Sequence, residues 1–167
     1  MVEISFSWDD GALAPDGESS YCDVVDFDFF IVADGDDSSN DILSFALASS
    51  NCPELTNLEL ANGTYNIYKD LWRSTTSGAG TVDWGDKNFE VPVAVTITRY
   101  NNDGSVAAQS SWKESSAAEI ITTDPSNYNS PVLMGDLIVS GNQYSFESVG
   151  GDTTDPVGVK LIEEDVN

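Results

Sequence analysis

Apolar and polar residues alternate along much of this chain, and the alternation predicts β-strands joined by tight turns. Val2, Ile4, Phe6 and Trp8 share one face of a first strand. In the segment from Cys22 to Ala33, Val25, Phe27, Phe29 and Ile31 share a face, and Asp26 and Asp28 lie on the other. Each strand therefore has one side that can enter a core.

Glycine-containing pairs mark three predicted hairpins, because such pairs supply the positive φ angles of short β-turns. Asn62-Gly63 predicts a hairpin over Glu54 to Trp72, with Leu60 facing Tyr65 and Glu54 facing Leu71. Asp103-Gly104 predicts a second hairpin, with Val95, Ile97, Val106, Ala108 and Trp112 on one face. Gly141-Asn142 predicts a third, whose core face holds Leu137, Val139, Tyr144 and Phe146.

Weaker strands are predicted at Ile42 to Ala48, Glu119 to Thr123 and Val157 to Leu161, and the longest irregular loop runs from Ser74 to Asn88. No extended segment shows the 3.6-residue period of a helix. About nine to eleven short strands of this kind predict an all-β protein, an antiparallel β-sandwich of jelly-roll or Ig-like type. The length of 167 residues predicts one domain, 1–167.

Composition narrows the possible functions. The chain has 29 Asp and Glu, 6 Lys and Arg and no His, a formal net charge of -23. Nucleic acid and anionic membrane surfaces repel such a chain, because binding to either depends on clustered basic residues. Without His there is no Ser-His-Asp triad, no His-ligated zinc and no imidazole base, which leaves carboxylates, Tyr, Lys and metal as the groups that could support catalysis.

Two cysteines, Cys22 and Cys52, each precede a predicted strand. A disulfide between them is expected in an extracellular protein, and two reduced, buried thiols are the alternative. No apolar run has the length of a membrane span, and the first residues lack the features of a signal peptide. If the protein is secreted or displayed on a cell surface, its signal has been removed from this sequence.

Two segments in this order resemble the β-sandwich domains related to the pre-peptidase C-terminal domain of secreted and surface bacterial proteins. The first runs from Asp26 to Gly35 (DFDFFIVADG), and the second combines Pro53-Glu54 with Asn62-Gly63-Thr64-Tyr65. The resemblance covers about forty of the 167 residues. It implies an accessory rather than catalytic module, and some members of the family bind calcium or carbohydrate.

Acidic residues provide the candidate metal ligands. Asp34, Asp36, Ser38 and Asp41 have the alternating spacing of oxygen donors that surrounds Ca²⁺, although the same loop also fits a solvated acidic turn. Asp26 and Asp28 are close enough on one strand to share a cation, or form a solvated face. The third hairpin sets Asp136 opposite Glu147, a second possible metal site.

Trp84 is the aromatic residue least explained by a core pattern, and it lies between Asp83 and Asp86. It could stack on a sugar ring or contact a partner protein, and folding back over the sheet edge is the alternative.

Three functions follow as expectations. The first is a secreted or cell-surface module for adhesion, binding carbohydrate or protein and stabilised by calcium. The second is a structural subunit of an extracellular filament or surface layer that self-associates by strand pairing, with Val2 to Trp8 as the donor strand. The weakest is a carbohydrate-active enzyme with paired carboxylates.

Overall fold

The computed structural model describes residues 2–9, 11–14, 17–33, 52–57, 59–74, 89–115, 120–121 and 131–158. Within these ranges the chain forms eleven strands and one short helix. In chain order they are β1 (Val2–Ser7), α1 (Tyr21–Val24), β2 (Val25–Ala33), β3 (Glu54–Asn57), β4 (Gly63–Ser74), β5 (Phe89–Glu90), β6 (Ala94–Tyr100), β7 (Val106–Lys113), β8 (Ile120–Ile121), β9 (Val132–Ser140), β10 (Gln143–Ser148) and β11 (Val157–Gly158).

Two antiparallel sheets form the body of the fold, and the predicted all-β sandwich is confirmed. One sheet has four strands in the order β3-β1-β6-β7, and the other has five in the order β11-β10-β9-β4-β2. A separate pair, β5 and β8, completes the strands of the described ranges. The weak strand predicted near residue 120 and the strand predicted at Val157 are both present.

The core lies between the two sheets, and aromatic side chains from both meet there. Phe6 on β1 stacks on Phe29 of β2 with ring centroids 4.3 Å apart. Trp8 contacts Phe27 edge to face at 5.6 Å, and its indole N–H donates a hydrogen bond to the carbonyl oxygen of Val25 at 3.0 Å. The alternating faces predicted for β1 and β2 are therefore confirmed as core faces.

Two of the three predicted hairpins form, and the β9–β10 hairpin has the predicted turn. Gly141 and Asn142 have φ angles of 55° and 63°, the positive pair of a type I′ turn. The residues predicted for its core face are all buried: Leu137, Val139, Tyr144 and Phe146.

The β6–β7 hairpin also forms, but its turn is longer than predicted. The main-chain N–H of Asn101 donates to the carbonyl oxygen of Ser105 at 2.8 Å, and Gly104 has a φ of 83°. The pairing shifts by one residue next to the turn. Val106, predicted to face the core, is consequently 56 % exposed.

The predicted Asn62-Gly63 hairpin is wrong. β3 pairs with β1 in the four-stranded sheet, whereas β4 pairs with β2 and β9 in the five-stranded sheet. The segment between them therefore crosses from one sheet to the other. Asn62 uses its side-chain oxygen to accept a hydrogen bond from the Gly141 N–H at 3.0 Å, which ties the crossover to the β9–β10 turn.

β1 pairs with β3 on one side and with β6 on the other. Both of its edges are thus occupied within one molecule, so β1 would have to leave its own sheet to pair with a neighbouring molecule, and strand donation by Val2 to Trp8 stays a prediction. No helix in the described ranges is long and apolar enough to span a membrane. The strand predicted at Ile42 to Ala48 and residues 75–88 of the predicted loop lie outside the described residues.

Candidate metal centre

β2 and β3 are edge strands of different sheets, and a disulfide joins the segments that lead into them. Cys22 lies in α1 just before β2, and Cys52 lies two residues before β3. The two cysteines are bonded, with their Cα atoms 5.5 Å apart. The predicted disulfide is confirmed, and it ties together the starts of the two edge strands.

Three carboxylates converge beside this disulfide. Asp26 and Asp28 of β2 and Glu54 of β3 each place one oxygen so that all three oxygens lie within 4.8 Å of one another. Asp28 is 9 % exposed and Glu54 is 1 % exposed, while Asp26 is half-buried. The cluster is therefore formed by both sheets and is mostly shielded from water.

Local sequence explains how β2 contributes two of the three groups. Alternate residues of a strand point to opposite faces, so burying Phe27 and Phe29 in the core leaves Asp26 and Asp28 together on the other face. Glu54 arrives by a different route. It is the first residue of β3 and pairs with Phe6 of β1, and that pairing fixes its position at the edge of the sandwich.

Electrostatic repulsion is concentrated at Asp28. Burial, followed by the charges of Asp26 and Asp70, raises the pKa of Asp28 from 3.8 to about 6. Asp70 lies directly opposite Asp28 in the β2–β4 pairing. Like charges placed opposite each other across a sheet are destabilising, so a divalent cation held here would relieve a cost that the fold otherwise bears.

The geometry fits a hard cation with oxygen ligands. Calcium binds oxygens at about 2.3–2.6 Å, so two ligands on opposite sides of one ion lie about 4.8 Å apart. Three oxygens within 4.8 Å of one another can therefore share a single ion. Carboxylate oxygens are also the ligands that calcium prefers over softer donors.

The structure brings some of the predicted metal ligands together and does not describe others. Asp26 and Asp28 are brought together, as the shared-cation hypothesis requires, and Glu54 joins them. Sequence reasoning missed Glu54 because the wrong hairpin placed it opposite Leu71. A signal was present, since a Cys22–Cys52 bridge brings the next few residues of both strands near each other. Four predicted ligands lie outside the described residues: Asp34, Asp36, Ser38 and Asp41.

The second predicted pair has the expected register. Asp136 lies directly opposite Glu147, and Asp136 also accepts a hydrogen bond from the side-chain amide of Asn66 at 2.8 Å. Glu147 is exposed. Among the described residues, the group of three converging carboxylates does not include this pair, and a metal between Asp136 and Glu147 stays a prediction. Asp83, Trp84 and Asp86, the predicted ligand-binding residues, lie outside the described residues.

A buried ion pair, which the sequence did not reveal, lies in the core. Lys69 of β4 is fully buried, and its Nζ is 3.1 and 3.0 Å from the two carboxylate oxygens of Glu114, just after β7. The same carboxylate accepts the main-chain N–H of Val93 at 2.8 Å. The Lys69 ammonium also lies 5.3 Å from the centre of the Phe27 ring. This pair joins the two sheets through polar contacts.

No protein-family model matches the chain, and neither the curated proteins nor the solved structures include a significant match to it. The site is thus characterised by its own geometry: three carboxylates from the edge strands of two sheets, next to the disulfide that ties those strands together.

Proposed function

We propose that this chain is a non-catalytic, extracellular or cell-surface β-sandwich module that binds a ligand or a partner protein and is stabilised by calcium. The observation that carries the proposal is the convergence of Asp26, Asp28 and Glu54 from two edge strands. An ion bound there would connect the sheets at the edge where the disulfide already connects them. Calcium would thus act on stability rather than on a reaction.

Three further observations support this proposal. A disulfide is typical of oxidising compartments such as the cell exterior. A net charge of -23 suits a protein that works among divalent cations. The resemblance of the Asp26 and Pro53 segments to pre-peptidase C-terminal domains implies an accessory module that includes calcium or carbohydrate binding among its roles.

Thermal unfolding tests the calcium site. An ion that binds only the folded state at one hundred times its Kd stabilises it by about 2.7 kcal/mol. We expect calcium to raise the Tm of chelator-treated protein by roughly 5–10 °C, since about 1 kcal/mol shifts the Tm of a domain of this size by roughly 2–4 °C. Sodium chloride at matched ionic strength controls for general screening of the negative charge.

Two Glu→Gln substitutions at different positions test whether the calcium-dependent rise in Tm comes from this site. Glu54→Gln should remove most of the calcium-dependent rise in Tm, because it replaces a buried ligand. Glu59→Gln removes an exposed carboxylate a few residues away and should leave the rise intact. Equal calcium responses in the two variants, or no response beyond that to sodium chloride in the unmodified protein, would refute the calcium proposal.

The ligand-binding part of the proposal is assigned to Trp84 and its neighbours Asp83 and Asp86. An aromatic ring between carboxylates can stack on a sugar while the carboxylates accept hydrogen bonds from its hydroxyl groups. A glycan array should show selective binding that Trp84→Ala abolishes. Binding that is unchanged in Trp84→Ala would exclude this tryptophan as the contact residue.

A further inference from the structure

Two carboxylates of the candidate site lie where their strands begin. Glu54 is the first residue of β3, a strand of four residues that pairs with β1. Asp26 is the second residue of β2, and the register of the β2–β4 pairing shifts between Asp26 and Phe27. Strand ends and register shifts are the points where main-chain hydrogen bonding is most easily lost. Strand pairing alone therefore holds these two residues weakly.

The two strands that supply these residues belong to different sheets, and in the described ranges they do not pair with each other. The Cys22–Cys52 bond links the segments that lead into them. Cys52 is two residues before Glu54, and Cys22 is four residues before Asp26. An extended chain spans about 7 Å over two residues and about 14 Å over four. The disulfide therefore limits how far Glu54 can move from Asp26.

Asp28 makes the site costly to keep together without a cation. Its side chain is more than nine-tenths buried, and the neighbouring charges that act on it are those of Asp26 and Asp70. Within the part of the chain that the structure describes, its carboxylate has no hydrogen bond and no salt bridge. A buried carboxylate without a partner is energetically unfavourable. In the metal-free protein this cost favours separation of β2 from β3, and the disulfide opposes that separation.

We propose that the Cys22–Cys52 disulfide controls calcium binding at Asp26, Asp28 and Glu54, so that reduction of the bond weakens the site. This proposal rests on the proposed function, because it requires that calcium binds there. In the disulfide-bonded protein, the ligands are already close together before the ion arrives, and such preorganisation increases affinity. After reduction, calcium must also draw together two edge strands that no longer share a bond.

Thiol–disulfide exchange with a dithiol provides the redox step. The dithiol reduces the bond to two cysteine thiols and is itself oxidised to a disulfide, so two electrons and two protons pass to the protein. Coupling between two binding or redox equilibria is reciprocal. If reduction raises the Kd for calcium by some factor, saturating calcium disfavours reduction by the same factor. A tenfold change corresponds to about 30 mV in the reduction potential of the disulfide.

Calcium titrations of the disulfide-bonded protein and of the double variant Cys22→Ser with Cys52→Ser, at one pH and one ionic strength, test the proposal. Competition with a chromophoric chelator gives the Kd of each protein. We expect the Kd to be at least about five-fold higher in the double variant, which is the lower end of typical coupling between two sites. Circular dichroism at saturating calcium verifies that the double variant is folded.

A redox titration of the unmodified protein provides a second measurement. Thiol alkylation and mass spectrometry give the disulfide-bonded fraction in mixtures of reduced and oxidised dithiothreitol, with calcium or with sodium chloride at matched ionic strength. Calcium should shift the equilibrium toward the disulfide by the factor found for the Kd. Glu54→Gln should remove this shift, whereas Glu59→Gln, which changes an exposed carboxylate nearby, should retain it.

Calcium Kd values that differ by less than about five-fold, or a redox equilibrium that calcium does not shift, would overturn the coupling and leave the calcium site standing. Equal redox shifts in Glu54→Gln and Glu59→Gln would also overturn it, because the effect would then lie outside these carboxylates. A double variant that stays unfolded at saturating calcium would show that the bond supports the whole fold and not this site. If the disulfide-bonded protein binds no calcium, the proposed function itself fails.

Discussion

At the scale of single residues, we expect a large loss of stability when Lys69 is replaced. It is fully buried, and both carboxylate oxygens of Glu114 lie within hydrogen-bonding distance of its ammonium. Removing one member of a buried ion pair leaves an uncompensated charge in the core, which typically costs about 3–5 kcal/mol. We expect Lys69→Met to reduce the free energy of unfolding in urea by about that amount.

A double substitution checks this explanation. Lys69→Met with Glu114→Gln removes both charges, and the glutamine carbonyl can still accept the N–H of Val93. The double variant should be more stable than Lys69→Met alone, because no charge is left without its partner. If the losses of unfolding free energy in Lys69→Met and Glu114→Gln simply add up in the double variant, the two side chains contribute no interaction energy.

The raised pKa of Asp28 leads to a second prediction at this scale, which concerns how the stability of the protein depends on pH. Its pKa of about 6 in the folded protein exceeds the ordinary value of 3.8, so the folded state binds more protons than the unfolded state between these values. The contribution of Asp28 to stability therefore falls as pH rises through this window. In chelator-treated protein, we expect Asp28→Asn to be more stable than the unmodified protein at pH 7.

Urea unfolding at several pH values measures this difference. The advantage of Asp28→Asn should shrink as the pH is lowered from about 7 to about 4, because the unmodified carboxyl becomes protonated in the folded state. A difference in unfolding free energy that does not change across that range would show that the charge of Asp28 is not what destabilises the metal-free protein.

At the scale of elements, glycines distinguish a crossover from a hairpin. A type I′ turn at Asn62-Gly63 would require positive φ at both residues, but neither is among the described residues with positive φ. The nearest atoms to a Cβ added at Gly63 belong to the Tyr65 side chain, at 3.7 Å or more. We expect Gly63→Ala to change the free energy of unfolding by less than about 0.5 kcal/mol.

Gly135 of β9 serves as the comparison for Gly63, because alanine should not be tolerated there. A Cβ there would collide with the main-chain oxygen of Glu147 and would lie 2.7 Å from the Phe146 ring. Overpacking of this kind typically costs about 1–3 kcal/mol. If Gly63→Ala lowered the free energy of unfolding as much as Gly135→Ala, the result would favour a hairpin turn at Asn62-Gly63 over the crossover seen in the structure.

These elements also show what the sequence could reveal. The β9–β10 hairpin was predictable because its turn residues and its core face, including Tyr144 and Phe146, are local features. The partners of β3 and β4 were not, since a short strand next to Asn-Gly can pair with its neighbour or cross to the other sheet. That choice depends on pairings with β1, β2 and β9, which are distant in sequence.

For the candidate metal site too, some features could be predicted from the sequence and others could not. Asp26 and Asp28 share a strand face, so their proximity follows from the period of a strand. Glu54 reaches them only because β3 pairs with β1, and the cysteine bridge was the one distant restraint visible in the sequence. Lys69 alternates with the same inward-facing positions as Tyr65 and Ile67, so its burial agrees with the strand pattern. Its partner Glu114 lies 45 residues away in the sequence, and nothing in the sequence identifies that residue as the counter-ion of a buried lysine.

At the scale of the whole molecule, a disulfide closes the sandwich on one lateral side, and three carboxylates meet on that same side. The disulfide ties the starts of β2 and β3, and the three carboxylates meet between the same two strands. Repulsion among them opposes closure in a chain of net charge -23. A bound calcium ion would convert that repulsion into a contact between the sheets.

The most direct test is a crystal structure of the protein grown with calcium, with anomalous diffraction to identify the ion. The proposed site predicts one calcium peak bonded to oxygens of Asp26, Asp28 and Glu54 at about 2.3–2.6 Å. A structure at saturating calcium with no ion among these three carboxylates, or with the carboxylates turned away from one another, would contradict it.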